Sequence, residues 1–128
     1  GATYEVTYDM GSNVTYWDEF SPYLYTLGWT WSIPGEVGCV RFGMKQFKAR
    51  RTNFEVNGNP VLLRGNIDCC VFPLTGHPPM DVDSWRRVYR AVKDHGLNHV
   101  RFHSWCPPEA AFEAADELGI YLNIENVM

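Results

Sequence analysis

Cysteine pairs with the spacing of a metal site are lacking in this chain. The four cysteines, Cys39, Cys69, Cys70 and Cys106, form no Cys-x-x-Cys pair, so neither a zinc site nor a redox dithiol is expected. They read as free, buried thiols serving as small apolar residues. Basic charge is also short, with 11 Lys and Arg against 15 Asp and Glu and a net charge of -4. Nucleic acid is excluded as a partner, because phosphate binding needs a basic stripe and none is present. No apolar run reaches the roughly 20 residues that span a bilayer, so no membrane partner is expected. Gly1-Ala2-Thr3-Tyr4-Glu5 lacks the charged and apolar regions of a targeting peptide, and nothing there fixes a compartment. What is present, 45% hydrophobic and 20% charged residues, is a globular composition.

The pattern changes character near residue 50. Before it, Tyr4, Val6 and Tyr8 alternate with polar residues, as in a half-buried strand. Tyr23 to Trp31 forms a second apolar run, Ile33-Pro34-Gly35-Glu36 a turn, and Val37 to Phe42 an antiparallel return. Short strands without a helical period suggest a sandwich. After it, Phe54-Glu55-Val56 and Val61-Leu62-Leu63 flank Asn57-Gly58-Asn59-Pro60, a hairpin signal. A Pro- and Gly-rich loop from Cys69 to Met80 precedes a helix that Asp81 or Asp83 caps. Its apolar stripe is Val82, Trp85, Val88, Tyr89 and Val92, and Gly96 ends it. Asn98 to Phe102 reads as a strand, and Pro108 stands at the first position of a second helix. That helix carries Ala111, Phe112, Ala115 and Leu118 and ends at Gly119, before a strand from Ile120 to Ile124. Alternating strands and helices with short returns predict parallel strands and right-handed crossovers.

Four stretches together carry a resemblance. They are Trp17 to Leu27 (Trp-Asp-Glu-Phe-Ser-Pro-Tyr-Leu-Tyr-Thr-Leu), Arg41-Phe42-Gly43-Met44-Lys45, Phe54 to Gly65, and the pair Gly96 to Arg101 and Asp116 to Tyr121. In this order and spacing the chain resembles glycoside hydrolase family 2, the β-galactosidase and β-glucuronidase-like enzymes. The resemblance implies an immunoglobulin-like β-sandwich segment followed by α/β structure, the N-terminal and incomplete part of a (β/α)8 TIM barrel. Residues 1–50 would be the last strands of the sandwich, and 51–128 the opening hairpin and first three barrel strands. It further implies a retaining glycosidase acting on terminal β-linked sugars, with a carbohydrate substrate, the remainder of the parent chain as partner, and no cofactor or metal. The alternative is a non-catalytic carbohydrate-binding or scaffolding module.

Retaining enzymes use two carboxylates about 5 Å apart, which in this family come from the fourth and seventh barrel strands. No catalytic residue is therefore expected in this chain, and it should be inactive alone. A substrate-binding wall is expected where the strands end: Asp68, Arg101, His103, Trp105 and Glu125. Arg101 would hold the active-site carboxylates, or pair with Glu125 inside the barrel. His103 would bind a sugar hydroxyl or close a loop, and Trp105 would stack on a sugar or anchor that loop. Glu125 would orient a ligand hydroxyl or support its neighbours. Where the family commonly reads Arg-Thr-Ser-His-Tyr-Pro, this chain has Arg101-Phe102-His103-Ser104-Trp105-Cys106-Pro107, one residue longer. Asn66-Ile67-Asp68-Cys69-Cys70 departs as well, so no particular sugar is carried over. Cys69 or Cys70 should approach Cys106, with reduced thiols expected and a bridge or metal contact as the alternative. Glu109, Glu113, Asp116 and Glu117 are expected in solvent. Trp17, Trp29, Trp31 and Trp85 are expected in core or interdomain packing, and His77, His95 and His99 on the surface or packed.

Overall fold

The two apolar runs of the N-terminal part pair as a hairpin. In the computed structural model, which describes residues 3–31 and 35–125, β1 (Tyr25–Thr30) and β2 (Val37–Phe42) are antiparallel, with Tyr25 opposite Phe42. The Ile33 and Pro34 part of the expected turn lies outside the described residues. Trp29 lies against Gly38, where an added Cβ would stand 2.3 Å from the indole. A two-stranded ribbon offers little depth for burial, so Trp29 and Trp31 remain 44% and 43% exposed instead of entering a core. The expected strand at Tyr4, Val6 and Tyr8 does not form, and all three side chains are exposed. Alternation alone does not make a strand without a neighbour to complete the backbone hydrogen bonds.

A second, three-stranded antiparallel sheet comprises β3 (Phe47–Arg50), β4 (Asn53–Val56) and β5 (Asn59–Val61). Asn57 and Gly58 form the β4–β5 turn with φ of +53° and +82°, the paired positive angles that match strand twist. Asn57 does a second job through its side chain. Its Oδ1 accepts from Gln46 N at 2.9 Å, and its Nδ2 donates to the Trp17 carbonyl at 3.0 Å.

The C-terminal part is a parallel sheet, ordered β6 (Gly65–Asp68), β7 (His99–Phe102) and β8 (Tyr121–Ile124). Helix α1 (Val82–Asp94) begins at Asp81, whose carboxylate accepts from Ser84 N at 2.8 Å. After it, Gly96 takes the left-handed conformation, with Gly96 N donating to Lys93 O and Leu97 N to Val92 O. Helix α2 (Glu109–Leu118) has Pro108 as its N-cap, one residue before the expected position, and Gly119 in the left-handed conformation at its end. Trp85, Tyr89 and Val92 of α1 are buried, whereas Val88 is 42% exposed. From α2 the buried side chains are Ala110, Ala111, Ala114 and Ala115, small enough for close helix packing. These residues meet Val100, Phe102 and Ile120 in one core. Both helices therefore cover one face of the sheet. Side chains alternate along β7, so His99 and Arg101 belong to the opposite face.

A smaller core of Trp17, Val56 and Tyr121, with Leu24, Val61 and Leu63 against it, joins the N-terminal segment to the parallel sheet. Trp17 packs edge-on to Tyr121, ring centroids 5.6 Å apart, and the Lys45 ammonium lies 4.3 Å from the Trp17 ring. Lys93 donates to the carbonyls of Glu19 at 2.6 Å and Leu118 at 2.8 Å. Of the acids of α2, Glu109 and Asp116 are exposed, as expected, whereas Glu113 and Glu117 are engaged by arginines. Glu117 accepts from Arg41 of β2 at 2.8 Å and from Arg86 of α1 at 2.7 and 2.9 Å, while Glu113 also pairs with Arg41. Partial burial still raises the Asp116 carboxyl above its ordinary value, with Lys45 and Arg41 opposing. The reason lies in the fold: α2 sits between β2 and α1, both of which supply arginines.

Candidate functional site

Each candidate residue sits at or just beyond the C-terminal end of a parallel strand. Asp68 closes β6, Arg101 is the third residue of β7, His103 and Trp105 lie in the loop that follows, and Glu125 follows β8. Arg101 stands opposite Ile67 on one side and Asn123 on the other. Glu125 is two residues beyond Asn123, hence on the same face of the sheet as Arg101. The two side chains meet there. Arg101 Nε donates to Glu125 Oε1 at 2.6 Å, and a terminal guanidinium nitrogen stands 2.5 Å from the same oxygen. Side-chain exposures are 48% and 28%, so the pair faces open space. The Arg101 guanidinium holds the Glu125 carboxyl below its ordinary range, the Ser104 N–H adds to this, and partial burial opposes it.

A second group is organised by the Asp68 carbonyl. It accepts His103 N at 2.8 Å and the Trp105 indole N–H at 3.2 Å. The Asp68 carboxylate turns back on its own chain and accepts Cys70 N at 2.9 Å. Trp105 packs edge-on to Phe102 and Phe72, with centroids 5.1 and 5.9 Å away. This geometry supplies the loop anchor among the two uses expected of Trp105. His103 Nδ1 lies 3.9 Å from Cys69 Sγ. Beneath the rim, burial pushes the Tyr89 phenol well above its ordinary value, and the nearby Asp68 charge adds to the effect.

The sequence pattern singles out neither Ser104 nor the contact between Cys69 and His103. Ser104 N donates to Glu125 Oε2 at 3.0 Å from a left-handed backbone with φ of +61°. Glycine or asparagine would have signalled that conformation, whereas serine does not. The cysteines are free, as expected, but Cys39, Cys69, Cys70 and Cys106 are all exposed instead of buried. Cys39 lies on the open ribbon, and the other three on rim loops, where the core does not reach. Among the described residues no group of three His, Cys, Asp or Glu side chains is arranged to hold a metal.

A cavity of about 470 Å³ lies away from this rim, lined by Lys45, Phe47, Phe54, His99, Asp116 and Tyr121 among others. None of Asp68, Arg101, His103, Trp105 or Glu125 lines it. Burial lowers both the Lys45 ammonium and the His99 imidazole from their ordinary values, with Asp116 opposing the shift at Lys45.

No family model matches the chain. A β-galactosidase of Vibrio cholerae is 30% identical over 112 residues, which is 84% of this chain and 11% of the galactosidase. Thus the chain spans about a tenth of that relative's length. Among solved structures, a β-glucuronidase of Parabacteroides merdae is similar with a TM-score of 0.72 and 30% identity, over 84% of this chain and 14% of that one. A glycosyl hydrolase family 2 member from Bacteroides cellulosilyticus shares the fold with a TM-score of 0.77 at 22% identity, over 89% of this chain and 15% of that one.

Proposed function

The chain belongs to glycoside hydrolase family 2, and from that premise we propose that it is part of a retaining enzyme acting on terminal β-linked sugars. In this reading residues 1–50 close an immunoglobulin-like sandwich, and residues 51–128 open a (β/α)8 barrel. The helix-covered parallel sheet β6–β7–β8 supports the barrel assignment, because such a sheet turns its other face toward the barrel interior.

The observation that carries the site is the pairing of Arg101 with Glu125 on the helix-free face at the strand ends. Barrel enzymes place their reactive groups at that end. Arg101 is already matched by Glu125, so it is oriented before any ligand arrives. It then directs its positive charge toward the reacting carboxylates, which further strands contribute. One of those carboxylates attacks the anomeric carbon, and the other protonates the departing oxygen. Arg101 keeps the attacking group ionised by charge-assisted hydrogen bonding. His103 is available to a sugar hydroxyl, while Asp68 and Trp105 fix the rim. The carbohydrate is the partner of the whole enzyme, and the chain alone is expected to be inactive.

The test is hydrolysis of a panel of aryl β-glycosides by the full-length polypeptide carrying this segment, with product configuration followed by NMR. Release of the β-anomer first supports retention. Release of the α-anomer, or sugar binding with no turnover of any β-glycoside, overturns the reading, and the latter outcome would establish a binding module.

A further inference from the structure

Glu125 is held at both oxygens, which is more than a carboxylate engaged in proton transfer needs. Arg101 takes Oε1 through two nitrogens, and the Ser104 N–H takes Oε2. Ser104 is one of four non-glycine residues with positive φ among those described, and this conformation turns its N–H toward the end of β8. Such a conformation is unfavourable for a residue with a Cβ and persists where its surroundings enforce it. The loop that contains Ser104 is pinned on the other side as well. There the Asp68 carbonyl of β6 accepts His103 N and the Trp105 indole. One anchor is a neutral carbonyl, the other an ionised carboxylate.

We propose that Ser104 is a positioning residue whose left-handed backbone, together with Arg101, clamps Glu125 and so fixes the loop carrying His103 and Trp105 at the mouth of the sugar pocket. Its relevance to sugar binding rests on the glycosidase reading, whereas the clamp itself rests on geometry alone. Glu125 acts in it as a fixed acceptor and transfers no proton. The charged and titratable groups around the clamp are Arg101 from β7, His103 from the loop and Asp68 from β6, whose carboxylate is occupied by Cys70 N. Protonation of Glu125 removes the charge that Arg101 and Ser104 both grip, so the loop loosens in acid.

Amide NMR on the 128-residue chain reads this directly. The Ser104 N–H resonance should shift through one acid transition whose midpoint coincides with that of the Glu125 side-chain carboxyl. Glu125→Gln should abolish that transition. Ser104→Gly should keep it, because the N–H and the conformation are both retained, whereas Ser104→Pro should lose it. A Ser104 resonance that stays flat, or a transition that survives Glu125→Gln, overturns the clamp. The Glu125→Gln arm decides the matter even where Ser104→Pro does not fold. In the full-length enzyme Glu125→Gln should raise KM roughly tenfold and lower kcat less. An unchanged KM beside a working wild type overturns the role in the pocket, while an inactive wild type counts only against the glycosidase reading.

Discussion

The Trp17 indole N–H donates to the Asp116 carbonyl at 2.6 Å, joining positions 99 residues apart. Trp17 is 2% exposed and also touches Tyr121 and Gly43. It therefore fastens the N-terminal segment to the last turns of α2 and the start of β8. Trp17→Ala should cost roughly 3–5 kcal/mol of stability, as for other buried tryptophans. Trp17→Phe keeps most of the packing and loses the hydrogen bond, so about 1–2 kcal/mol is expected. Urea denaturation of the three proteins checks the order. Equal midpoints for wild type and Trp17→Ala would mean that the segment is not docked.

Arg41 and Arg86 converge on Glu117 from two different elements. Hydrogen bonding from Arg86 is the main cause holding the Glu117 carboxyl below its ordinary 4.5, burial opposes it, and Arg41 lowers it further. Because the folded value is depressed, Glu117 contributes stability above its unfolded value and loses it as pH falls through the folded one. Stability should therefore decline below about pH 4.5, and more shallowly in Glu117→Gln. Arg41→Gln removes half-exposed contacts, so it should cost under about 1 kcal/mol and less still in 1 M salt. Thermal melts across pH 3 to 7 at two salt concentrations measure both effects. Identical acid slopes for wild type and Glu117→Gln would remove Glu117 from the account.

Local signals in this chain were legible where one residue type meets one backbone demand. Asn57-Gly58 marks a hairpin turn, Asp81 a helix start, and Gly96 and Gly119 helix ends, and each lies where its chemistry places it. Strand β3 escapes such reading because the alternation of Phe47-Lys48-Ala49-Arg50 is only four residues long, and the segment gains its strand state by pairing with β4. The Tyr4 to Tyr8 alternation misleads for the converse reason. At the site, the pairing of Arg101 with Glu125 follows from parallel strand order. The grip of Ser104 does not, since it depends on a positive φ at a residue that rarely advertises one.

The proposed role of Arg101 predicts that stability and activity separate at this residue. With 48% of its side chain exposed and Glu125 its only ion-pair partner among the described residues, Arg101→Met in the 128-residue chain should change unfolding free energy by less than about 1 kcal/mol. On the proposed glycosidase reading, the same change in the full-length polypeptide should lower kcat/KM by about 10²- to 10³-fold, the scale for removing one preorganised charge stabiliser. Parallel denaturation and steady-state kinetics compare the two. Normal turnover in Arg101→Met would detach β7 from the active-site wall.

Gly96 and Gly119 form a matched pair for testing how the N-terminal segment is seated. Both end helices with nearly the same left-handed backbone, φ of +73° and +71°. An added Cβ at Gly96 meets nothing within 4 Å. At Gly119 it would stand 2.9 Å from both the Cα and the carbonyl oxygen of Glu19, backbone atoms that cannot swing aside. Gly96→Ala should therefore cost only the conformational penalty, roughly 1–2 kcal/mol. Gly119→Ala carries the same penalty and must also push residues 18 and 19 away, which strains the Lys93 bond to the Glu19 carbonyl. Its cost should exceed that of Gly96→Ala by at least about 1 kcal/mol. Deleting the segment through Phe20 in both backgrounds isolates the steric part. Without it the two alanine variants should lose the same stability, whereas a difference that persists would place the penalty within α2 itself.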